Sequence, residues 1–122
     1  MIYIGSILPV CDNSGIKKVK CIKILRKSAR KCGKVGDTLI VVIKSIKRYK
    51  KIKKKDIYKA LLVRCRKKIV RSDGSCIAFG ENAVVLLNKK MVPLGTRIFG
   101  PVAHELRLKK NTKLVTLAKS VI

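Results

Sequence analysis

The chain has 122 residues, with 31 Lys and Arg against 6 Asp and Glu and a formal net charge of +25. Its 48% apolar content suits one domain with its own core, although 4% aromatics and no Trp leave Val, Ile and Leu to fill it. No run approaches the ~20 apolar residues of a membrane span, and the opening MIYIGSILPV has neither the basic start nor the long apolar run of a signal peptide, so the chain is expected to start where its fold starts.

Period-two alternation begins at KVKCIKIL (18–25). Val19 and Cys21 alternate with Lys18 and Lys20, and the phase then shifts so that Ile22 and Ile24 flank Lys23. Such a shift predicts a bulge or bend of the kind small barrels use. TLIVVIKSIKRYK (38–50) is apolar on both faces and then turns basic at Lys44 and Lys47, which predicts a buried first half and a projecting second half. The cation-crowded RYKKIKKKD (48–56) repels itself and predicts an extended loop or hairpin tip.

DIYKALLVRCRKKIVR (56–71) divides cleanly by parity. Tyr58, Ala60 and Leu62 lead into Arg64, Arg66 and Lys68 on one face, while Leu61, Val63, Cys65 and Ile69 line the other. One face is therefore predicted to leave the core as a row of cations. SCIAF (75–79) and AVVLL (83–87) read as further short strands, and DNSG, CGKVGD, SDG and GEN read as turns between strands. Five or six short strands with tight turns point to a small antiparallel barrel or sandwich. PVAHELRL, which begins with Pro101, a good first-turn residue, and then NTKLVTLAKS, with Asn111 or Thr112 as a cap, predict two short C-terminal helices.

Chemistry is sparse. Cys11, Cys21, Cys32, Cys65 and Cys76 form no CxxC pair and His104 is the only histidine, so no zinc framework and no cofactor are expected; the thiols read as small hydrophobes of a reducing compartment. Asp12, Asp37, Asp56, Asp73 and Glu81 fall in turn signals, and His104 and Glu105 are helix neighbours that face different ways. The glycines form neither GxGxxG nor a P-loop, so an enzyme is not expected. The net charge calls for a polyanion. Nucleic acid is favoured over anionic lipid, because basic membrane binders use amphipathic helices and this chain is patterned for strands. Tyr49 and Tyr58, the only aromatics near the basic run, are too few for a stacking platform, which favours folded RNA read by shape and phosphate.

Four ordered segments then resemble the universal large-subunit ribosomal protein fourteen family over nearly the whole length: VCDNSGIKKVKCIKIL (10–25), VGD (35–37), ALLVRCRKKIVRSDGSCIAFGENAVVLL (60–87) and PLGTRIFGPVAHELR (93–107). The resemblance implies a closed five-stranded antiparallel barrel over about residues 1–90, a projecting β-ribbon, and a C-terminal turn with two short helices over about 91–122, all in one domain. It implies binding to large-subunit rRNA near the subunit interface, contact with neighbouring large-subunit proteins, a bridge to small-subunit rRNA, and a docking face for factors that block subunit joining. The chain departs from the family pattern at His104 (usually a basic residue), in RKSARKCG (26–33, which lacks a glycine pair) and at Lys119 (usually proline).

On this basis Asp12 makes the DNSG turn, and Asn13 and Ser14 are candidates for phosphate or ribose contact. Lys17, Lys18 and Lys20 follow as point charges, with Arg30 and Lys31 as a basic pair at the ribbon tip. Lys44, Arg48, Lys50, Lys51, Lys53 and Lys54 belong to the projecting segment, and Arg64, Arg66, Lys68 and Arg71 to the row of cations. PLGTRIFGPV (93–102) carries one charge between two glycines and two prolines. It is expected to hold Thr96 and Arg97, with Phe99 and Arg107, toward a partner while Ile98 and Phe99 lodge against the barrel; the competing expectation pairs Arg97 with Glu105. Lys- and Ile-rich composition hints at AT-rich coding, hence a mitochondrial ribosome, with an AT-rich bacterium as the rival. An interaction module for assembly factors is the second functional reading, and a free single-strand binder the third.

Overall fold

The computed structural model describes residues 2–25, 32–46, 55–109 and 111–122. Strands β1 (Ile7–Pro9), β2 (Ile16–Ile24), β3 (Thr38–Ile46), β4 (Ile57–Arg64) and β7 (Ala83–Leu87) form one antiparallel sheet in the order β1-β2-β3-β4-β7. β5 (Ile69–Val70) and β6 (Cys76–Ile77) pair as a separate short hairpin. Its SDG turn forms as read, with the Ser75 amide donating to the Asp73 carboxylate at 3.0 Å. Helices α1 (Glu105–Leu108) and α2 (Thr112–Leu117) follow.

The phase shift in β2 is a register irregularity between Cys21 and Lys23 against β3. The extra residue keeps Val19, Cys21 and Ile24 all facing inward and turns Ile22 out, where it is exposed together with Lys23. The expectation that Ile22 and Ile24 act as a pair is thereby corrected: the bulge places them on opposite faces. In β3, Leu39, Val41 and Ile43 are buried, while Ile40 and Val42 on the other face are half-buried and Lys44 is exposed.

Parity along β4 and β7 explains why AVVLL has no polar residue. Ala60, Leu62, Val84 and Leu86 pack with Leu8, Val19, Val41 and other inward residues of β1–β3. Leu61, Val63, Val85 and Leu87 pack on the reverse side, under Val102, Leu106, Leu114 and Val115 of the C-terminal segment. β7 and the Ala60–Val63 part of β4 are buried on both faces and read as continuous apolar runs. Just beyond β1, Val10 forms a parallel bridge to Val84, and the Cys11 amide donates to the Val84 carbonyl at 3.1 Å.

The C-terminal turn differs in detail from the sequence expectation. Pro101 stands four residues before α1 rather than in its first turn, because Val102 first bridges Val121 in extended form. Asn111 occupies the N-cap of α2 but makes no side-chain cap bond. Among the described residues no cluster of three or more His, Cys, Asp or Glu is placed to hold a metal. Cys11 is buried, and burial pushes its thiol up to about 12, against a smaller lowering by the Arg64 charge.

Candidate nucleic-acid interface

The DNSG turn and the PLGTRIFGPV stretch, more than eighty residues apart in sequence, are locked together. Asp12 is buried; one carboxylate oxygen accepts the Ser14 amide at 3.1 Å and the Ser14 hydroxyl, and the other accepts the Leu86 amide at 3.2 Å. This is the turn-making role read from sequence. Ser14 is 7% exposed and its hydroxyl is spent on Asp12, so it presents nothing outward and its reading as an RNA contact is corrected.

Asn13 is the clasp. Its side-chain oxygen accepts the Thr96 amide at 2.8 Å and the Arg97 amide at 3.2 Å, while its nitrogen donates to the Thr96 hydroxyl at 2.8 Å. Gly95 is needed because a Cβ there would come within 2.6 Å of that same oxygen. The close approach that the glycine permits is therefore made by this chain's own Asn13. Ile98 is buried and bridges Asp12 and Ala118; Phe99, expected both to lodge against the barrel and to face a partner, is 51% exposed, with its amide donating to the Cys11 carbonyl. Thr96 and Arg97 are exposed on a turn fixed from beneath. Arg97 does not pair with Glu105, which is taken by Arg71 at 2.8 Å.

Arg64 overturns the expected row of cations. At 6% exposure it points into the fold. Its guanidinium donates to the carbonyls of Phe99 at 2.6 Å and Pro101 at 3.2 Å and meets Glu81 at 2.9 Å. Gly100, with φ of +82°, sits where a side chain would strike that guanidinium. An arginine at the end of β4 thus props up the turn that carries Thr96 and Arg97. Arg66 and Lys68, beyond the strand end, are exposed as read. Arg71 is spent on Glu105 and on the carbonyl of Ile122 at 2.6 Å.

Outward cations are abundant on β2 and β3. Lys17 and Lys18 are both exposed because the register shifts on either side of Lys18. Lys20 lies opposite Val42, and Lys44 follows Val42 by two residues, so by parity Lys20 and Lys44 share the outer face. Arg107 is exposed on α1. Arg30, Lys31, Arg48, Lys50, Lys51, Lys53 and Lys54 lie outside the described residues, as does the projecting ribbon tip.

The Arg71–Glu105 pair has a pH signature. Burial alone would raise the Glu105 carboxyl, but the Arg71 hydrogen bond, a backbone bond and the nearby positive charges outweigh it and hold the group below its ordinary 4.5. A depressed carboxylate stabilises the fold fully above its unfolded value, and that contribution is lost as pH falls through the lower folded value. The urea midpoint of the wild type is therefore expected to fall more steeply than that of Glu105→Gln as pH drops below 4.5. Parallel curves would show that the pair contributes nothing.

A small antiparallel sheet with helices on one side, a surface crowded with lysine, and a clasped turn presenting one arginine together define a basic binding scaffold. The chain belongs to the ribosomal protein L14p/L23e family, whose model matches residues 1–122.

Proposed function

We propose that this chain is a non-catalytic structural protein of the large ribosomal subunit. It binds large-subunit rRNA near the subunit interface, touches neighbouring large-subunit proteins and contributes to a bridge with small-subunit rRNA. The family match over the whole chain carries this reading. The exposed Lys17, Lys18, Lys20, Lys44, Arg66 and Lys68 support it, since dispersed cations suit a phosphate backbone. In this reading the five-stranded sheet wraps into a closed barrel within a single domain; the bridge between Val10 and Val84 and the inward set drawn from every strand favour that closure. The Lys- and Ile-rich composition favours a mitochondrial ribosome, with an AT-rich bacterial cytoplasm as the alternative.

A second reading has its own support. The clasped turn holds Thr96, Arg97 and Phe99 outward, a rigid patch for a factor that blocks subunit joining. Sedimentation of the tagged chain separates the two. Co-migration with large subunits at high salt, lost on deleting residues 48–55, is expected for RNA anchoring. Co-migration unaffected by that deletion favours docking, and recovery of the intact chain only at the top of the gradient overturns both.

A further inference from the structure

A cavity of about 400 Å³ lies between the 32–35 segment, the chain leaving β4, and α1. Cavities of ~300–1,000 Å³ are the size that holds a small ligand. Val35, Cys65 and Ile69 give it an apolar floor, and Lys34, Lys67, Lys68 and Lys109 ring it against a single acid, Glu105. All four lysines are exposed, and of these only Lys68 belongs to the cations the sequence singles out.

The walls are fixed in advance. The Lys34 amide donates to Asp37 at 2.7 Å, Lys109 pairs with the same carboxylate at 3.1 Å, and the Gly36 amide donates to Leu62 at 2.8 Å. On the far side Arg71 ties the β5–β6 hairpin to Glu105. Glu105 is thereby neutralised, and the rim that remains is cationic. Such a cavity suits a compact group with one flat apolar part and one anionic part.

We propose that the cavity holds a single unpaired RNA nucleotide, its base against Val35, Cys65 and Ile69 and its phosphate on the lysine rim. This rests on the rRNA-binding reading and adds to it: phosphate contacts on open strands position a protein on RNA, whereas a splayed-out base lodged in a cavity selects a particular site in it. An acidic protein segment is the competing occupant; with Lys109 held by Asp37 and Glu105 by Arg71, Lys34, Lys67 and Lys68 leave an excess of positive charge that favours the phosphate.

Short-wavelength irradiation of large subunits containing the chain joins unpaired bases to the side chains they touch, and mass spectrometry locates the adducts. The expected result is a nucleotide adduct on the peptides that carry Cys32–Val35 or Cys65–Val70, depleted about tenfold in a Lys67→Glu/Lys68→Glu variant that still enters subunits. If the chain sediments with large subunits but those peptides carry no nucleotide, the cavity inference fails while the rRNA reading stands. Adducts to a protein segment there would also overturn it. A chain absent from large subunits overturns both. As a second measurement, the purified chain is titrated with each ribonucleoside monophosphate and with inorganic phosphate while the amide signals of Val35 and Ile69 are followed. At least one nucleotide is expected to saturate them at about tenfold lower concentration than phosphate, the effect of burying one base face; equal affinities would leave only a phosphate site and refute the proposal.

Discussion

Arg64→Met is expected to lower the stability of the fold by about 2–4 kcal/mol, read from the urea midpoint. The arginine side chain is 7% exposed, and it supplies the donors for the carbonyls of Phe99 and Pro101. Methionine replaces the stem but not the fork, and the two part-buried carbonyls lose their donors, at up to ~1–3 kcal/mol for each acceptor that water does not reach. The ion pair itself contributes much less, because Glu81 is 58% exposed and recovers its hydration when the pair breaks. Glu81→Gln is accordingly expected to shift stability by less than about 1 kcal/mol. Arg64→Lys should recover only part of the loss, since one ammonium cannot reproduce a planar fork reaching two carbonyls and a carboxylate. Against a typical total of ~5–15 kcal/mol, the Met effect is large enough to see in a single denaturation series. An unchanged midpoint for Arg64→Met would mean that the brace beneath Phe99–Pro101 is idle.

Arg64 also marks where sequence reading stops. On a strand, parity tells which side chains share a face, and it puts Arg64 with Tyr58, Ala60 and Leu62. A register shift between Leu62 and Arg64 breaks that grouping, since Leu62 lies opposite Val84 of the inner set but Arg64 opposite Ala83 of the reverse side. Parity also does not tell whether the face is covered at that point along the strand. The covering carbonyls come from residues 35 and 37 positions later, through a turn whose path parity cannot supply. The same holds for Asn13: its amide looks like an ordinary turn residue until the Thr96 backbone is brought beside it. By contrast, the bulge in β2 was legible because lysines mark the solvent side at nearly every step, so a change of phase is visible in eight residues. AVVLL was legible as a strand, but its burial on both faces and what covers the second were not, since the amphipathic pattern of two helices of four and six residues is too short to assign a partner. The mainly antiparallel β character and the turn positions could thus be read from local periodicity. The clasp and the brace, which give the exposed turn its shape, depend on contacts between distant segments.

The largest expected effect is on RNA affinity. If ~6–10 phosphates are neutralised, binding of the purified chain to large-subunit rRNA should weaken by ~10³–10⁵ between 50 and 200 mM monovalent salt. The size follows from counterion release: each phosphate contact frees condensed cations, and the gain shrinks as the bulk concentration rises. The geometry makes this more specific than a statement about net charge. Lys18 and Lys20 are exposed, with no acidic partner in the ion pairs among the described residues. Replacing both with Gln should reduce the slope of log K against log salt by about 2 and weaken binding across sequences. Arg64 carries the same formal charge but faces inward, and Arg71 is already engaged by Glu105. Provided the fold is intact at the assay temperature, Arg64→Met and Arg71→Gln should leave that slope unchanged to within about half a unit. A slope that fell equally for all of these cations would mean that binding senses only total charge; a flat salt response in the wild type would remove electrostatics as the mechanism altogether.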